Sequence, residues 1–143
     1  MSNLLVQNIK HTNNTTAVEI NSSAQMTVKG EGSATTNLQQ GLCKTWFQIT
    51  GVSTASLNDS LNVSSLNDEA TGNYKITYSN NMSNTTYSYS NGSGWNVGST
   101  NSTYNGTDSD EILTSTLEIY HVNTSDSATD ANLSMGSIHG DLA

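Results

Sequence analysis

No stretch of this chain keeps a 3.6-residue apolar period, whereas several short runs keep a period of two, which restricts it to strands. Tyr74-Lys75-Ile76-Thr77-Tyr78 is the clearest run, with Tyr74, Ile76 and Tyr78 on one face. Ile112 to Val122 is the second, and its apolar set favours the face of Leu113, Leu117 and Ile119. Pro is absent, and Gly, Asn, Asp and Ser punctuate the chain about every eight to twelve residues, a spacing of all-β folds.

The same reading divides the 143 residues in two. Residues 1–40 are expected to be an arm: a strand from Leu4 to Ile9, then a hairpin that brings Val18 and Ile20 against Met26 and Val28. Lys29 to Gln40, with Gly30 and Gly32, reads as a linker holding one helical turn near Leu38. Residues 41–143 are expected to be a β-sandwich or jelly-roll-like domain. Its strands run through Trp46 to Ile49, Leu57 to Leu66, Tyr74 to Tyr78, Thr86 to Ser90, Ile112 to Val122 and Leu133 to Ile138. Trp46, Ile49, Val63, Tyr74, Ile76, Leu117 and Ile119 are the expected core.

That core is thin. Leu, Ile, Val and Phe supply only 26 residues, while Ser, Thr and Asn supply 61, so the surface is hydroxyl and amide rather than charge. A two-stranded hairpin does not bury enough to stand alone, and an arm of this kind is completed by other copies or another protein. A homo-oligomer is therefore expected, with a trimer favoured, and Leu4, Val6, Ile9, Val18 and Ile20 as its docking surface.

Charge and chemistry exclude several classes. The net charge is −8, with four basic residues, all Lys, so no cationic stripe exists to neutralise nucleic-acid phosphates or hold an anionic membrane. No run approaches the roughly 20 apolar residues of a membrane span, and MSNLLVQNIK lacks the basic and apolar regions of a secretory leader. The twelve N-x-S/T patterns are thus not read as glycosylation, and synthesis in a cytoplasm is expected. Cys43, the only cysteine, cannot form an intrachain disulfide and has no second thiol for zinc. His11, His121 and His139 amid 22 Ser make any triad match worthless without geometry, so no catalysis and no cofactor are expected. Asp108-Ser109-Asp110-Glu111 lacks the spacing and the glycine of an EF-hand, and a solvated loop is preferred to a calcium site.

Recognition is expected where aromatics interleave with glycine. Residues Asn91 to Asp110 read as a long loop around Trp95 and Tyr104, next to Tyr87 and Tyr89. These four rings offer flat area with polar neighbours, suited to a glycan or a protein surface. A plug at one end of the β core, made by Trp95 and Tyr87, is the equal alternative.

HTNNTTAVEINSSAQMTV from His11, SLNVSSLNDEATGNYKITYSNNMSNTTYSYS from Ser60 and DSATDANLSMGSIHGDLA from Asp126 resemble small tail-fibre and virion-appendage proteins of tailed, notably marine, bacteriophages. The middle block carries the resemblance best, with NVSS, the turn at Asp68, TGNY and MSNTTY in order. The resemblance implies a non-enzymatic virion component: a short tail fibre or appendage in host attachment, joined to other virion proteins by its N-terminal arm. Only about 30 residues precede the compact domain, which argues against a long shaft. Capsid decoration, a cement role on the shell, is the alternative.

Overall fold

Polar and apolar residues alternate into strands along most of residues 7–11, 16–22, 24–29, 34–94, 103–107 and 109–143, which the computed structural model describes. Among them are twelve strands, one four-residue helical turn and one 3-10 turn. The fold is all-β. The chain divides into two compact units, Met1–Leu42 and Cys43–Ala143.

In the first unit β1 (Asn8–Lys10), β2 (Thr16–Ile20), β3 (Met26–Lys29) and β4 (Thr35–Asn37) form one antiparallel sheet in chain order. The expected hairpin is present as β2 and β3, pairing Val18 with Val28 and Ile20 with Met26. Its turn is tied by the Gln25 amide, which donates to Asn21 Oδ1 at 3.0 Å. The expected linker is in part a strand: β4 pairs Val28 with Thr36 and leads into α1 (Leu38–Gly41). Asn37 Oδ1 accepts the Gln39 amide at 2.9 Å, as an N-terminal cap does, and Gln39 Oε1 in turn accepts the Met26 amide at 3.2 Å. Leu4 and Val6 lie outside the described residues.

Register makes this sheet two-faced. Ile9, Val18 and Val28 stand in one cross-strand row with Ile20 and Met26 beside them, whereas Asn8, Glu19, Thr27 and Asn37 form a row on the other face. None of the described residues of the unit is buried, and Ile9 is 58% exposed.

The second unit contains two four-stranded antiparallel sheets. One orders β6 (Ser56–Leu61), β5 (Cys43–Thr50), β12 (Leu133–His139) and β9 (Ser88–Gly94); the other orders β10 (Thr103–Gly106), β11 (Thr116–Asn123), β8 (Asn73–Tyr78) and β7 (Val63–Ala70). Phe47, Ile49 and Ile138 from the first meet Ile76, Tyr78, Leu117 and Ile119 from the second in one core, closed by Met82. The sheets therefore face each other as a sandwich.

The stretch expected as one strand from Leu57 to Leu66 is two. It breaks at Asn62, which takes φ 61° and carries the chain from one sheet to the other in a single residue. Asn62 is held there from both ends of its amide. Oδ1 accepts the Asn80 amide at 2.7 Å, while Nδ2 donates to Thr45 Oγ1 at 3.1 Å and to the Asn80 carbonyl at 3.0 Å. At the opposite edge, Asn91 to Gly94 belong to β9 and Thr103 to Gly106 to β10, so most of the described residues in the stretch expected as a loop are strand. Only residues 95–102 and 108 of it lie outside the described residues.

Trp46 is not in the core. Inward positions of β5 are Thr45, Phe47 and Ile49, so Trp46 points to the outer face and is 36% exposed. Val63 is only partly buried against the core. Ile49, Tyr74, Ile76, Leu117 and Ile119 are buried as expected. The strand expected from Ile112 begins at Thr116, and Leu113 before it is exposed.

Candidate functional site

Polar groups inside the sandwich form two small clusters. The Tyr74 hydroxyl donates to Asp130 Oδ1 at 2.9 Å and reaches the Gly51 carbonyl at 3.2 Å, and Asp130 Oδ1 also accepts the Gly72 amide at 2.8 Å. Three loops are thereby pinned to one end of the fold. Gly72 has φ +70°, and a Cβ there would sit 2.6–2.8 Å from backbone atoms of His121 and Thr129, so no other residue fits. Burial and the Asp130 carboxylate hold the Tyr74 phenol well above its ordinary range.

The second cluster is a serine beside a histidine. His121 Nε2 and Ser134 Oγ share a hydrogen bond of 3.0 Å, and the imidazole meets the Tyr74 ring edge-on at 5.7 Å. The geometry imitates a nucleophile and its base. Ser134 is 0% and His121 1% exposed, however, so no substrate carbonyl reaches the hydroxyl, and Nδ1 has no hydrogen-bond partner to orient the ring. The pair is a core hydrogen bond.

Burial depresses the His121 pKa from 6.5 to about 4, against the opposing effect of the Asp130 charge. The unfolded chain thus binds a proton near pH 6.5 that the folded chain refuses until about pH 4, so stability falls as pH falls through that window. Between pH 7 and pH 5 the loss is expected to be about 1–2 kcal/mol in urea titrations of the wild type and to vanish in His121→Met. An equal loss in both proteins would assign the slope to other groups.

The outer faces of the two sheets differ in kind. On the sheet of β8 and β11, Glu118 is ion-paired with Lys75, accepts the Tyr120 hydroxyl at 2.7 Å and accepts Asn73 Nδ2 at 3.4 Å. Chiefly the Lys75 ammonium holds the Glu118 carboxyl below the usual range. This face is occupied by its own network. The sheet of β5 and β12 carries larger apolar side chains on its outer face. Trp46 pairs with Leu61 on β6 and with Ser137 on β12, while Met135 pairs with Gln48 and Gly92. All of these but Leu61 line a shallow groove of about 490 Å³ that includes Ser90, and its lining is uncharged.

The aromatics expected to bind are placed differently from Trp46. Tyr89 stacks on Phe47 with ring centroids 6.3 Å apart, and burial raises its phenol pKa. Tyr87 packs edge-on to Tyr78 and shares a hydroxyl hydrogen bond of 3.0 Å with it, and its own hydroxyl donates to the Leu113 carbonyl at 3.0 Å. Both rings are packed against the core from β9 and the segment before it. Tyr104 lies on β10 opposite Val122, and Trp95 falls outside the described residues. Among the described residues no group of three or more His, Cys, Asp or Glu is placed to hold a metal, and no helix is long and apolar enough to cross a membrane.

Sequence reasoning missed the Trp46 face although the signal was present. Phe47 and Ile49 share strand parity and Trp46 does not, so a core built on Ile49 puts Trp46 outside. No family model, no curated protein and no solved structure matches the chain.

Proposed function

We propose that this chain is a non-enzymatic structural protein of a tailed-phage virion, a short tail fibre or appendage that serves host attachment. In this reading the N-terminal sheet joins copies of the chain to one another and to other virion proteins, and the sandwich is displayed outward. One observation carries it: a four-stranded sheet with an apolar row of Ile9, Val18 and Val28 and no buried residue among the described ones of its unit, next in the chain to a sandwich with a buried core. A sheet with one apolar face requires a cover, and a row of this kind on every copy offers one. The resemblance of the three sequence blocks to phage appendages and the hydroxyl and amide surface support the same assignment.

Antibody raised against the sandwich is expected to label the tail end of intact particles in electron micrographs. Label spread over the shell transfers the reading to capsid decoration. Particles free of label overturn the virion assignment altogether.

A further inference from the structure

We infer that the groove beside Trp46 binds a neutral sugar ring. The inference deepens the attachment reading, on which it rests, by naming the class of receptor and by placing the site on a sheet face.

Three facts converge there. First, a large aromatic stands on the outside of a rigid sheet: Trp46 sits on β5 between the paired strands β6 and β12, so its backbone is fixed on both sides. An indole held this way presents a flat apolar face, the surface that the C–H face of a pyranose covers. Second, the residues around it are small or neutral. Gln48, Ser90 and Ser137 supply amide and hydroxyl groups of the kind that exchange hydrogen bonds with sugar hydroxyls, and Gly92 leaves room above the strand. The lining holds no charged residue, which disfavours acidic sugars, phosphates and charged peptides. Third, the size suits a small ligand. A groove of about 490 Å³ lies within the roughly 300–1,000 Å³ of small-molecule sites.

A protein partner fits this face less well. Trp46, Leu61 and Met135 are 36%, 47% and 38% exposed. Together they present on the order of 250 Å², well under the ~800 Å² per partner of a stable protein interface. A single ring on a shallow face binds weakly, and several copies in one assembly raise the strength by effective concentration.

The test uses the full chain labelled with ¹⁵N and three neutral probes, cellotetraose, maltotetraose and a galactotetraose, with sialyllactose as the charged comparison. At least one neutral probe is expected to move the amide signals of Gln48, Gly92, Met135 and Ser137 along saturable curves, more than sialyllactose does. Trp46→Ala is expected to weaken that binding roughly tenfold or more. Gly92→Val fills the groove from a second side. A Cβ at Gly92 meets only Met135 Cγ, at 3.5 Å, an ordinary contact, so this variant is expected to fold, as its melt will check, and to lose the sugar. Two results overturn the inference: no neutral probe moves these signals, or both variants bind as the wild type does. A single-chain mass with sugar bound overturns the assembly reading and leaves this site standing; an oligomer blind to all three probes does the reverse.

Discussion

Leu117→Ala is expected to destabilise the sandwich by about 2–5 kcal/mol, a large share of the 5–15 kcal/mol that holds an ordinary domain. Leu117 is 0% exposed and pairs directly with Ile76, also 0% exposed, across β11 and β8. Removing three carbons there opens a cavity in the middle of the layer between the two sheets. Neighbours offer little to fill it, because the core comprises few aliphatics: Ile49, Ile119 and Ile138 with the rings of Phe47 and Tyr78 and the thioether of Met82. Urea unfolding followed by tyrosine fluorescence measures the change. Trp46→Ala is the companion variant, and its cost is expected below about 1 kcal/mol, since the side chain leaves no void inside the sandwich. A core role for Trp46 would reverse the order of the two.

Val18→Asp is expected to abolish assembly. Val18 stands between Ile9 and Val28 in the apolar row, so a carboxylate there is buried, unpaired, in any interface built on that face. Each of the row's apolar side chains is worth about 1.5–3 kcal/mol when fully buried against a cover, and the variant loses one of them and adds a desolvation cost. Glu19→Gln, on the polar row one residue away, is the control and is expected to leave the mass unchanged. Equal assembly by the two variants would move the interface off this face.

Much of the sandwich was legible because strand parity is written in the residues themselves. Tyr74, Ile76 and Tyr78 alternate with Asn73, Lys75 and Thr77, and every member of the first set is buried. Leu117 and Ile119 are legible for the same reason. Other features depend on partners distant in the chain, and no local pattern announces them. Glu118 is buried although it lies between Leu117 and Ile119, because Lys75 stands opposite on β8 and Tyr120 and Asn73 complete its hydrogen bonds. His121 meets Ser134 from thirteen residues away. Asn62 is intermediate: asparagine tolerates a left-handed backbone, yet nothing local says that its strand changes sheets there.

Two of the four rings expected to bind, Tyr87 and Tyr89, pack against the core for a related reason. Aromatics near glycine suggested a binding loop, but Tyr89 was needed inside, where Gly136 makes room for it. A Cβ at Gly136 would come within 2.5–2.6 Å of the Phe47 and Tyr89 rings, so a glycine that read as punctuation is a packing requirement. Trp46 is a described aromatic on the outer face, and its strand parity with Lys44 and Gln48, opposite to that of Phe47 and Ile49, puts it there.

In the proposed function, other copies of this chain complete the N-terminal sheet. Light scattering on the purified wild-type protein at micromolar concentration tests it directly. A single defined multiple of 15.2 kDa, a trimer being favoured, is expected, and it should persist on dilution to the lowest measurable concentration. A 15.2 kDa monomer that melts cooperatively, with a midpoint independent of concentration, would contradict it.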